Sequence, residues 1–166
     1  MLNRRQMNVA MLASGMSAMG LSACGNSNAA PASRFVLLDG STLTEADLKG
    51  KVTLINFWAT TCVSCVKEMP ALANTFLKYK DKGYDTIAVA MKYDPPDWVL
   101  NFANSRQLPF KVALDNTGDL AKDWGDVKLT PTSYLVDSRG TIVKKYLGEP
   151  DMQALHQLIE SLLAKA

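Results

Sequence analysis

Metal-ligand side chains are scarce in this chain: one histidine, His156, and three cysteines in 166 residues. A zinc site built on Cys62 and Cys65 would need two more ligands at suitable spacing, and no third cysteine lies in the same segment. Charge of one sign is equally scarce. The formal net charge is +2, and Arg4 and Arg5 are both surplus positives, so residues 24–166 carry 16 basic and 16 acidic side chains. A neutral domain has no electrostatic footprint for a phosphate backbone, which argues against nucleic acid as a partner. No apolar run is long enough to cross a bilayer, which takes about 20 residues; the stretch Val9–Ala23 falls short. No internal repeat is visible. What remains is ordinary globular composition, 48 % apolar and 20 % charged, in a chain long enough for one domain with its own core.

The N-terminus reads as a targeting segment. Arg4-Arg5 make a positive start, and an uncharged, mildly apolar stretch follows. It ends in Leu21-Ser22-Ala23-Cys24, which resembles the bacterial lipobox. Residues 1–23 are therefore expected to be a lipoprotein signal peptide, with Cys24 the lipid-carrying residue that holds the protein to a membrane. An ordinary signal peptide cut near Ala23 or Ala30 is the alternative, and Asn3–Met7 loosely resembles a twin-arginine export signal. Residues 24–34, rich in Asn, Ala and Ser, are expected to be a flexible tether, with the domain over 35–166.

Along the domain, Phe35–Leu38 and Ser41–Leu43 flank Asp39-Gly40 as a hairpin. Thr44–Leu48 reads as a helical turn ended by Gly50. Lys51–Trp58 and Tyr84–Met91 are apolar runs of strand length. Val63 to about Lys80 reads as a helix interrupted at Pro70, since proline removes a backbone hydrogen bond. A further helix from Pro95 or Pro96 to about Gln107, a strand Phe110–Leu114 and a short helix Asp119–Trp124 follow. Thr132–Val136 and Thr141–Leu147 form a second hairpin, and Asp151 caps a last amphipathic helix. This order predicts an α/β domain: a central mixed sheet flanked by helices, with an N-terminal β-hairpin and an extra helix/strand insertion.

The chemistry centres on Cys62-Val-Ser-Cys65, placed between a buried strand and a helix. A cysteine at a helix N-terminus sits near unsatisfied backbone N–H groups and the positive end of the helix dipole, which favours thiolate. Cys65 lies about one turn further in, within reach of Cys62, as a resolving thiol requires. The domain then holds one cysteine pair, and export would place it where disulfides persist.

The run Asn56-Phe-Trp-Ala-Thr-Thr-Cys-Val-Ser-Cys-Val-Lys-Glu-Met-Pro70, with Leu129-Thr-Pro-Thr132, resembles the TlpA/ResA-like branch of the thioredoxin superfamily over residues 35–165. The resemblance implies a thioredoxin-like fold and a membrane-tethered, periplasm-facing thiol–disulfide oxidoreductase of the bacterial envelope that needs no cofactor. It implies a dithiol reductase of protein disulfides, acting in cytochrome c maturation or copper-site assembly and re-reduced by a membrane electron donor. It implies that Pro131 is cis, packed by the disulfide, and presents the Thr130 backbone to an extended substrate. It makes Glu68 the acid–base group: the spacing puts it on the helix face of Cys65, where a partly buried carboxylate can take the Cys65 proton. The competing reading of Glu68 is a solvated surface residue. Trp58 is expected to shape the substrate surface, the other reading being core. Strand alternation sends it to the face opposite Phe57.

Two positions depart from the family pattern: Thr61 stands where tryptophan is usual, and Val63-Ser64 is an uncommon pair between the cysteines. Two competing functions use the same fold. A thiol peroxidase would place Thr or Ser three residues before the attacking cysteine, where this chain has Ala59. A copper chaperone, a binding module without turnover, pairs a wider CxxxC with a distant histidine. A monomer is expected. If Cys24 carries lipid, the full chain takes up labelled palmitate when expressed in bacteria and sediments with membranes, and Cys24→Ala loses both.

Overall fold

A computed structural model describes residues 28–166. The proposed signal peptide and Cys24 lie outside the described residues. The strands are β1 (Arg34–Leu37), β2 (Thr42–Thr44), β3 (Val52–Trp58), β4 (Tyr84–Ala90), β5 (Lys111–Leu114), β6 (Thr132–Val136) and β7 (Ile142–Leu147). The α-helices are α1 (Val63–Tyr79), α2 (Pro96–Ser105), α3 (Asp119–Asp123) and α4 (Met152–Leu163), with a 3₁₀ turn at Glu45–Leu48. The strands form one seven-stranded sheet in the order β2-β1-β5-β4-β3-β6-β7. β3, β4 and β5 run parallel, while both hairpins join antiparallel, β6 against β3 and β1 against β5. The α2–β5 insertion thus carries the N-terminal hairpin on the sheet.

β3 is buried along its whole length because helices cover both faces of the sheet. Alternation divides its side chains. Leu54 and Trp58 join the core with Cys65, Met69 and Leu72 of α1 and Leu155 and Ile159 of α4. Ile55 and Phe57 join the opposite core with Phe35, Trp124 and Tyr134. The Trp124 indole N–H donates to Ser33 Oγ at 2.9 Å, and the Tyr134 hydroxyl donates to the Trp124 carbonyl.

Two expectations are corrected. The tether does not extend to residue 34. From Asn28 the backbone is fastened to the second hairpin: the Ile142 N–H donates to Asn28 O at 2.7 Å and the Ala30 N–H to Gly140 O at 2.8 Å. The Ser33 N–H donates to the Glu45 carboxylate at 2.9 Å, so a segment of loop composition is held by its backbone. Nor does Pro70 interrupt α1, which runs 17 residues without a break. The proline removes one backbone donor, and burial of Glu68, Met69 and Leu72 on either side of it holds both halves against the sheet.

The loop after β4 fixes the turn that leads into Cys62. Asp94, 4 % exposed, accepts from the Thr60 N–H at 2.6 Å and from the Thr60 hydroxyl at 2.5 Å. Its own N–H donates to Met91 O at 2.9 Å. Two donors lose their acceptor in Asp94→Ala, which should cost about 2–4 kcal/mol in urea unfolding of the oxidised protein, with Asp94→Asn costing less.

Candidate functional site

Cys62 is the N-cap of α1, and its sulfur accepts the Cys65 N–H at 3.2 Å. The two cysteines are joined, with S–S at 2.11 Å and Cα atoms 5.2 Å apart. The strand ends at Trp58 and the helix begins at Val63, so the turn 59–62 places Cys62 at the mouth and Cys65 one turn inside. Cys62 is half-buried and Cys65 fully buried. Ser64 Oγ lies 3.5 Å from the Cys62 sulfur, close enough to donate weakly to it. The outer rim is apolar: Val63, between the cysteines, is 83 % exposed, and Leu129 is 63 % exposed.

The Thr130–Pro131 peptide is cis. The Thr130 carbonyl oxygen stands 3.5 Å from the Cys62 sulfur, where it would accept the S–H of the reduced form. Sheet direction explains the meeting of residues so far apart in sequence. β6 runs antiparallel to β3, so it begins where β3 ends, with Thr132 opposite Phe57. Pro131, one residue earlier, therefore sits beside the turn that carries Cys62. The Thr132 hydroxyl donates back to Leu129 O at 2.7 Å and closes the loop.

Glu68 is not solvated; it is 4 % exposed on the inner face of α1. Asn56 on β3 donates its amide to Glu68 Oε1 at 2.8 Å and to Ser133 Oγ on β6 at 2.9 Å. Glu68 Oε2 and Asn56 Oδ1 are buried without a hydrogen-bond partner among the described residues. Burial pushes the Glu68 carboxyl up to about 7; the Asn56 hydrogen bond opposes that rise, and the nearby Glu149 carboxylate adds to it. A carboxyl poised near neutrality can take and return a proton at working pH.

Trp58 is not at the surface. It is 0 % exposed, and its ring packs on Phe102 with centroids 5.1 Å apart. Alternation points it toward α1, and α2 closes over it, so it supports the site from beneath. His156 is also remote from the cysteines: its Nε2 lies 2.9 Å from Thr75 Oγ1, between α1 and α4. Among the described residues no three His, Cys, Asp or Glu side chains converge on a metal position. Two residues of the site escape sequence reasoning. Ser133 matters because register sets it opposite Asn56, and Asp94 because a loop returns it to Thr60. The only sequence trace of Ser133 is a small polar residue inside a buried strand.

The family model described as Redoxin matches residues 25–159. The thiol–disulfide oxidoreductase ResA of Bacillus thuringiensis subsp. konkukian is 37 % identical over 126 residues, 75 % of this chain and 71 % of that protein. ResA of Bacillus subtilis is 36 % identical over 132 residues, 78 % of this chain and 73 % of its own. Among solved structures, the thioredoxin domain of the thiol–disulfide oxidoreductase BVU-2223 from Bacteroides vulgatus superposes with a TM-score of 0.69 at 29 % identity, covering 81 % of this chain and 95 % of that one. With its CxxC pair at disulfide distance, its cis-proline loop and this likeness over most of its length, the chain belongs to the redoxin family, among the ResA-like thiol–disulfide oxidoreductases.

Proposed function

We propose that this oxidoreductase works as a reductase of protein disulfides in the bacterial envelope, lipid-anchored through Cys24 and facing the periplasm. The observation that carries the reading is the unequal placement of the two sulfurs, Cys62 half-exposed at a helix N-terminus and Cys65 buried on the face of Glu68. In the reduced form the Cys62 thiolate attacks a partner's disulfide, forming a mixed disulfide and releasing one partner thiolate. Cys65 then gives its proton to Glu68, and its thiolate attacks the Cys62 sulfur. The Cys62–Cys65 bond forms, the second partner thiolate leaves, and two electrons have passed to the partner. Thr130 and Pro131 present backbone to an extended segment of the substrate, a reading supported by the Thr130 carbonyl lying 3.5 Å from the Cys62 sulfur. A membrane protein returns the electrons. Apocytochrome c cysteine pairs and copper-site cysteines, each in the disulfide form, are the substrate classes that would accept these electrons.

Redox direction is tested by the reduction potential of Cys62–Cys65 in glutathione buffers. A value at or below about −220 mV is expected, in the range of thioredoxin and the glutaredoxins; a value near about −120 mV would identify an oxidant and overturn the reductase reading.

Glu68 also gives a stability signature. Its folded value of about 7 lies above the ordinary carboxyl value of 4.5, so the folded state binds the proton more tightly. That contribution is full below pH 4.5 and is lost as pH rises through about 7. Oxidised Glu68→Gln, compared with oxidised wild type in urea unfolding, should therefore gain relative stability as pH rises through that window. A constant difference would show that Glu68 does not titrate there.

A further inference from the structure

Asn56 is an amide in the middle of a strand buried on both faces, and its hydrogen bonds are lopsided. Both bonds run through its nitrogen, one to Glu68 Oε1 and one to Ser133 Oγ, while its oxygen has no partner among the described residues. An amide held only at nitrogen is oriented by those two acceptors alone. The carboxyl it meets is lopsided too: Oε1 is tied to Asn56, and Oε2 is buried and unpartnered. A carboxyl whose Oε1 already accepts a hydrogen bond takes its proton on the other oxygen, since a proton on Oε1 would displace the Asn56 donor.

We propose that Asn56 and Ser133 are positioning residues that act through Glu68: Ser133 Oγ takes one Asn56 amide hydrogen, which fixes the other on Glu68 Oε1 and leaves Oε2 as the oxygen that exchanges the proton with Cys65. This rests on the reading of Glu68 as the proton acceptor. In the resolving step the proton passes from Cys65 Sγ to Glu68 Oε2, and in the reverse step it returns. Ser133 lies two residues after the cis proline, so the strand that presents Thr130 to the substrate also holds the amide that orients Glu68. The other charged or titratable groups about Glu68 are few. Cys65 and Lys67 share its helix, and Glu149 lies in the loop after β7, where Lys67 pairs with it at 3.4 Å. Its one hydrogen-bond partner among the described residues, Asn56 of β3, is neutral, and Tyr146 of β7 stands opposite Ser133 on the same core.

The test titrates the Glu68 carboxyl by carbon-13 NMR in the oxidised protein, where neither cysteine can titrate. Asn56→Ala should raise the midpoint by about one pH unit, because the carboxylate loses a hydrogen bond that favours it. Ser133→Ala should raise it by less, since the amide stays but is free to turn, and Ser133→Thr should restore it. If Asn56→Ala does not fold, the two Ser133 variants decide. A wild-type midpoint in Ser133→Ala overturns the proposal. The pH profile of disulfide exchange in Glu68→Gln separates the two layers. If that profile matches wild type while the Ser133 midpoints move, the reading of Glu68 itself fails and takes the proposal with it.

Discussion

A polar side chain in the middle of a strand covered on both faces finds its hydrogen-bond partners inside the protein or goes without. Asn56 is that side chain. The seven residues of β3 are all buried, and alternation points Asn56 toward α1 together with Leu54 and Trp58. Leaving its amide hydrogens unpaired there would cost on the order of a few kcal/mol. The partners it finds are one residue from the helix that carries the cysteines and one from the strand that follows the cis proline. The same demand for satisfied donors therefore ties together three elements on which the chemistry depends.

That tie also sets how firmly Glu68 holds its proton. A carboxylate buried without any donor would hold its proton far too firmly to release it near neutrality. One hydrogen bond from Asn56 partly offsets the desolvation, and the value of about 7 is the balance. Asp94 performs a comparable service at the mouth, holding the Thr60 backbone so that Cys62 enters the helix at a fixed place. Neither Asn56 nor Asp94 is hydrogen-bonded to a sulfur among the described residues; each holds a residue close in sequence to a cysteine, Glu68 or Thr60.

The site gathers at one end of the central strands for a topological reason. The parallel strands β3 and β4 end there, delivering the cysteine turn and the Asp94 loop. β6 starts there because it runs the other way, delivering the cis-proline loop. Asp94 thereby reaches Thr60, and Thr130 reaches Cys62, through strand direction rather than closeness in sequence.

Much of this was legible in the chain itself, for local reasons. Apolar runs of strand length, turn dipeptides and caps such as Asp151 act over a few residues, so element order and type follow from them, and Cys62-Val-Ser-Cys65 between strand and helix marks the redox pair. The motif after Cys65 and the Thr130-Pro131 dipeptide locate the remaining partners by resemblance. Tertiary structure decided what depends on distant neighbours. It buried Trp58 because α2 closes over the face that alternation chose for it, and carried α1 through Pro70 because packing outweighs one lost hydrogen bond. It fastened residues 28–33 that composition alone reads as loose. It also made Ser133 and Asp94 parts of the site, since register and strand direction, set by the whole sheet, bring each to a partner far away in sequence.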